Sequence, residues 1–525
     1  TNAQGGQISI VNTGESLVTR GQNSPALYAQ SVGGGGGRVA SVAGNVTMGS
    51  SGSGYLSGGN VSVNNTANVA TVGTNALAFL VQSIGGGGGT AGISEGNAVV
   101  LGGSALGETM GGAVSVTNSG SIYTEGNNAS ALLVQSIGGG GGAAAKSAGD
   151  LSRLGGTAGQ FSTGGSVTIN NSGAIQTKGY GSAGFVAQSI GGGGGYIAET
   201  TDTDSYDVTL SGTGQEQASG GNLTIINTAP FISTSGNYSP ALVAQSIGGG
   251  GGWSLLRSNP DAQIGSESGG GMTGGSINLR STSNIYTTGA SSAGVVIQSI
   301  GGGGGVTGSA VGNVTLGASN VSGNLSAGPL TVQLSGIVYT TGYASPAVVV
   351  QSIGGGGGLG DVVGGNAQLG QSGSQAATSN SGAISLKTQG RAVQTDGTGA
   401  PAVMVQSIGG GGGWVSDVGG NATLGGTTAA GGSSIAGAIQ VTNNYKSIAT
   451  QGRNSTGLLV QSIGGGGGFT GVTAGANLIL GGSNTGNTSG GTVQVRSRST
   501  ITTTGLNAAA MVVQSVGGGG GSSAT

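Results

Sequence analysis

The sequence predicts an all-β protein wound as one long β-solenoid, and three observations carry that prediction. Gln-Ser-Ile, with Val for Ile in the first and last copies, followed by five glycines occurs ten times, with its Gln at Gln30, Gln82, Gln135, Gln188, Gln245, Gln298, Gln351, Gln406, Gln461 and Gln514. The period is therefore 52 to 57 residues, and a repeat of that length marks a stacked array rather than a set of globular domains. Ahead of each recurrence, apolar residues fall at every second position, as half-buried strands require. Between these parts lies a rigid block: Thr-x-Gly, then nine residues from that Gly to the Gln, without one insertion in ten copies. The whole of 1–525 is read as a single repetitive array of ten repeats of about 53 residues.

Composition narrows the function. Thirteen Lys and Arg against fifteen Asp and Glu leave a net charge of −2, with no basic run, so nucleic acid is an unsuited partner. A surface this poor in charge favours packing into a matrix over dispersal. Cysteine is absent, so no disulfide staples the chain. No apolar run approaches the roughly 18 residues of a membrane span. Thr1 opens no signal peptide, and the chain begins and ends inside the repeat pattern. Solenoids close with polar caps. A segment of a longer array, or a subunit whose ends meet other copies, is therefore expected.

Taken in order, each repeat opens with alternation: Val114-Ser115-Val116 and Ile122-Tyr123-Thr124 in the third, Val167-Thr168-Ile169 and Ile175-Gln176-Thr177 in the fourth. The interruptions Asn118-Ser119-Gly120 and Asn171-Ser172-Gly173 read as turns between short strands. Because i and i+2 share a face, the Thr of Ile-x-Thr points inward, and ten stacked Thr hydroxyls are expected to bond one another. The following strand differs, since Ala131-Leu132-Leu133-Val134-Gln135-Ser136-Ile137 is apolar on both faces and needs a cover on each. One face belongs to the solenoid interior; the quintet folding back, or a neighbouring copy, is expected to cover the other.

The quintets open at Gly33, Gly85, Gly138, Gly191, Gly248, Gly301, Gly354, Gly409, Gly464 and Gly517, covering 33–37 through 517–521. They hold 50 of the 126 glycines, uninterrupted by Ser, Ala or Asn, as a flexible linker would not require. Their positions must exclude a Cβ. Two conformations are open: an extended three-fold strand that packs backbone on backbone, or a tight turn with several positive φ angles. After the quintet, Gly44-Asn45-Val46-Thr47-Met48-Gly49 and its counterparts signal one more strand. Solenoid coils commonly use about 20 to 27 residues, so the period reads as two coils and the array as roughly 95 Å tall. One large coil per repeat, with the quintets as a separate layer, is the alternative.

The combined signature, Val-x-Val-x-Asn-x-Gly-x-Ile-x-Thr-x-Gly-x-x-Ser-x-Ala-Leu-x-x-Gln-Ser-Ile and five glycines, resembles repeats in the passenger regions of large Gram-negative autotransporters and related surface exoproteins. The resemblance spans essentially the whole chain. It implies a secreted, right-handed parallel β-helix displayed at the bacterial cell surface, attached to the outer membrane through a region this sequence does not contain, with adhesive or structural roles.

Candidate chemistry is thin. The serines of Gln-Ser-Ile have no His anywhere in the chain to activate them, and the Gly-x-Ser-x-Gly elbow is missing. Ladders of Ser and Gln that satisfy one another are the expected use. No Gly-Lys-Ser or Gly-Lys-Thr follows the quintet, so it is no phosphate loop. Glu199, Asp202, Asp204 and Asp207 alternate along one loop and offer oxygen ligands to Ca²⁺, the single metal the sequence points to. Neither EF-hand nor RTX spacing accompanies them, and a solvated loop is the commoner reading. Trp253, Trp414, Tyr196 and Phe469 follow quintets directly, placed either to stack on sugars or to shield glycine backbone. The expected function is non-enzymatic: a structural solenoid of an extracellular fibre, filament or layer, self-associating end to end or laterally through stacked strands and polyglycine contacts. A glycan- or host-binding adhesin using the post-quintet loops is the alternative.

Overall fold

The structure is a computed structural model. It describes residues 2–523 apart from 53, 95–97, 106, 148–150, 157–158, 199–206, 213–214, 256–260, 309–311, 373–376, 427–431, 474–476 and 483–485. The described residues are β throughout, without helix, and every ladder between repeats is parallel.

The first coil defines the plan: β1 (Ala3–Gln4), β2 (Ile8–Asn12), β3 (Ser16–Thr19), β4 (Leu27–Val32), β5 (Gly36–Val42) and β6 (Val46–Met48). Each pairs with its counterpart one repeat on, as in Leu27 with Phe79 and Gln30 with Gln82. One repeat is thus one coil, not two. Nine steps of about 4.8 Å give a stack roughly 43 Å tall, about half the height expected from the two-coil count.

The residues are spent on width. The inner face of the β2/β3 sheet packs Val61, Val63 and Val69 against Phe79 and Val81 of the β4 sheet. The far face of that sheet, with Leu80, Leu133 and Met404, is covered by Tyr196, Trp253 and Trp414 from the β5 sheet. The opposite face of β5, at Ile197 and Val415, packs on Val99 and Leu101 of the β6 sheet. Four layers lie side by side, and β4 and β5 are buried on both faces, which is why their apolar residues do not alternate. The cover for β4's second face therefore comes from the chain itself, returning after the glycine bend, and not from a neighbouring copy.

The β3–β4 turn repeats one backbone trick. Its apex takes a positive φ in each rung, at Asn23, Asn75, Asn128, Gly181, Tyr238, Ser291, Ala344, Gly399, Asn454 and Asn507. Asn and Gly tolerate that region at little cost. The recurrent Thr does face inward, but in every rung except those of Thr71 and Thr124, whose hydroxyls make no hydrogen bond among the described residues, its hydroxyl closes this turn instead of bonding its stacked neighbours: Thr177 Oγ1 donates to Ser182 O at 2.6 Å and Thr287 Oγ1 to Ser292 O at 2.6 Å.

Candidate functional site

The quintet lies at the centre of the coil cross-section, where β4 must reverse into β5. In the eight interior rungs all five glycines are buried. The third, fourth and fifth carry positive φ, as in Gly303, Gly304 and Gly305 at 93°, 131° and 147°. The bend is thus the tight, positive-φ form and not an extended polyglycine strand. Nor is it a separate layer.

Backbone approaches it from every side. A Cβ on Gly301 would stand 2.5 Å from Gly354 O and 2.7 Å from Ser326 N, and one on Gly138 would stand 2.6 Å from the main chain of Thr163. Those atoms belong to the rung above and to the β1 sheet. The turn after β6 closes another side, where Gly103 N donates to Gly86 O at 2.8 Å. Successive quintets are also stitched together, Gly86 N donating to Gly138 O at 2.8 Å and Gly141 N to Gly87 O at 3.1 Å. All of these bonds are within one molecule.

Glutamine and serine fasten the bend to its surroundings. Gln30 Nε2 donates to Gln82 Oε1 at 2.7 Å, and the chain of amides runs on unbroken to Gln461 Nε2 and Gln514 Oε1, also 2.7 Å apart. The eight interior glutamines are fully buried, so each amide must find its partners inside. From Gln135 through Gln461 the second hydrogen of each amide turns to the last glycine of its own quintet, as in Gln298 Nε2 to Gly305 O at 3.4 Å. Tyr28 Oη donates to Gln30 Oε1 at 2.7 Å at the first rung. The serines do not bond the glutamines. Ser83 Oγ donates to Gly59 O and accepts from Gly112 N, both at 2.8 Å, tying β4 to the β1–β2 turn.

A second ladder was missed by sequence reasoning. Asn65 Nδ2 donates to Asn118 Oδ1 and Asn118 Nδ2 to Asn171 Oδ1, each at 2.8 Å, in the bend between β2 and β3. The recurring Asn of Asn-x-Gly was its signal, read only as a turn. Elsewhere the structure reassigns residues. Trp253, Trp414, Tyr196 and Phe469 are 0–2% exposed and pack against β4, so they are not placed to stack on sugars. Of the Ca²⁺ candidates, Glu199, Asp202 and Asp204 lie outside the described residues, and only the backbone of Asp207 is described, opening the strand Asp207–Leu210.

Comparison of the chain with family models, with curated proteins and with solved structures finds no match.

Proposed function

We propose that the protein is a non-enzymatic structural element of a bacterial cell surface, a solenoid segment of an extracellular fibre, filament or layer that extends by stacking further rungs on its ends. The observation that carries this reading is the register of the stack, in which rungs of near-identical sequence pair residue for residue, Gln on Gln and Ser on Ser, along the whole β4 sheet. Met511 and Val513 are 42% and 43% exposed, although their counterparts Phe79 and Val81, Leu132 and Val134 lie in columns buried through the interior. Ile8, Ile10 and Leu17 at the other end, and Val493, Val495 and Ile501 at this one, are only partly covered. An uncovered edge of parallel strands is a template for another strand in the same register. Rungs of near-identical sequence supply that register at every column, whether they belong to the same chain or to a second copy.

Burial of the eight interior quintets removes them from lateral contact. Quintet backbone can meet quintet backbone of another molecule only at the terminal rungs, so end-to-end growth is favoured over side-by-side polyglycine packing. The resemblance to autotransporter passenger repeats agrees with a surface location and supplies the cellular setting of the proposal. Negative-stain images of the purified chain over a concentration series test it. Rods of constant width that lengthen in steps of roughly 48 Å, ten rungs at the strand spacing, are expected; rods of a single length at every concentration would overturn end-to-end growth.

A further inference from the structure

The outer face of the β2/β3 sheet is solvent-exposed; its lower rungs show Val11, Val18, Ile226 and Phe231 among polar residues, and its upper rungs gather cations. Arg280, Gln333, Lys387, Thr442 and Arg496 are successive register partners. Their strands turn the residues on either side of them inward, buried in the first four rungs and half-buried beside Arg496, so all five project outward. Arg280, Lys387 and Arg496 therefore form one column with a single uncharged rung between each pair, about 9.6 Å apart at the ordinary strand spacing. Beside the column runs a groove of about 250 Å³ with Gln333, Gln389, Thr442 and Asn444 in its walls. Tyr286 and Tyr339, partners on adjacent rungs, stand half-exposed on the same face.

The charge is segregated along the stack. Residues 1–279 carry six Lys and Arg against twelve Asp and Glu, whereas residues 280–525 carry seven against three. None of those three carboxylates answers the column: Asp361 is buried, Asp417 accepts from Tyr343 Oη, and Asp396 accepts from Tyr339 Oη and Gln394 Nε2.

We infer that this face is a docking surface for a linear acidic polysaccharide lying along the stack axis, with one anionic group on every second sugar. Two rungs span about the length of two linked pyranose rings, so cations at alternate rungs meet charges at alternate sugars. The amide and hydroxyl side chains between them suit sugar hydroxyls, and the tyrosine faces offer the apolar surface on which rings rest. A nucleic acid places a phosphate on each nucleotide, about 3.4 Å apart per strand of a duplex. Most of those charges would go unmatched here. The inference is independent of how the rods assemble.

Hyaluronan, whose carboxylates fall on alternate sugars, is the probe. The intact chain is expected to bind immobilised hyaluronan at low salt, to release it as salt rises, and to ignore neutral dextran. The variant R280Q/K387Q/R496Q is expected to bind at least about ten-fold more weakly, as loss of three charge contacts implies. R20Q/K178Q/R453Q removes equal charge from exposed sites outside the column and is expected to bind as the parent does. Circular dichroism of both variants, expected unchanged, separates lost contacts from lost fold. No binding at low salt, equal loss in the two variants, or tighter binding of an oligothymidylate than of hyaluronan by the parent chain would overturn the inference.

Discussion

Asp361 is a carboxylate set into the interior, 5% exposed, on the β5 face that looks toward the β3–β4 turns. Burial pushes its pKa up to about 8, with the Ser291 hydroxyl bond pulling the other way. The groups around it do not relieve the burial, since Tyr343 is neutral at ordinary pH and holds Asp417 at 2.8 Å. An Asp in the unfolded chain titrates near 3.9. Between about pH 4 and pH 8 the folded protein thus keeps a proton that the unfolded chain has released, so stability falls as pH rises through that window and levels off above it. Below about pH 4 both states are protonated and the contribution is fully present. Urea midpoints of the parent chain are expected to drop between about pH 5 and about pH 8.5, and those of D361N to stay level across the same range. An equal slope in both proteins would assign the pH dependence to other groups. No periodicity in the sequence announces this residue, because its column holds Ala198 and Leu255 in lower rungs and only the coil geometry puts it indoors.

At the scale of the element, the β3–β4 turn isolates the cost of backbone conformation. Gly399 sits at its apex with φ +65°, and a Cβ there would meet nothing within 4 Å. Gly399→Ala is therefore expected to destabilise by about 1–2 kcal/mol through the left-handed backbone alone. Ala344, its counterpart one rung below at φ +51°, already carries that strain. Ala344→Gly is the reverse change at an equivalent site and is expected to stabilise by a similar amount, about 1 kcal/mol, the relief of strain outweighing the freedom glycine loses on folding. Thermal melts of the two variants check both signs. The strands flanking this turn were legible in the sequence, since a period of two is local and Ile-x-Thr fixes which face is inward. The acceptor of the Thr hydroxyl was not, because it depends on an apex conformation that Asn, Gly, Tyr, Ser and Ala all adopt here. The glycine bend was half legible: its uniform length announced a place without room for Cβ. What fills that room comes from β1 and from the turn after β6, segments too variable in sequence to be assigned a position in advance.

At the scale of the molecule, the two-coil count failed because it assumed a hollow two- or three-sided coil of ordinary girth. This coil instead doubles back through the glycine bend and lays β5 and β6 outside β4, spending a whole period on one step of about 4.8 Å. The same geometry sets opposite consequences for one substitution at two heights. Gly301→Ala drives a Cβ into the main chain of the rung above and of the β1 sheet, and overpacking of that kind costs about 1–3 kcal/mol. Gly518, in the last rung, has no atom within 4 Å of its Cβ position and no positive φ. Its counterpart Gly86 would put a Cβ 2.9 Å from Gly139 C in the rung above, so a methyl at Gly518 stands where the next rung would have to sit. Gly518→Ala is therefore expected to melt with the parent chain yet to stop rods from lengthening, whereas Gly301→Ala is expected to lower the melting temperature. Sedimentation of the two variants beside the parent, at concentrations where the parent extends, reads both effects. Extension of Gly518→Ala at the parent's rate would mean that growth does not proceed through this edge, and the uncovered columns of Met511 and Val513 would then need another explanation.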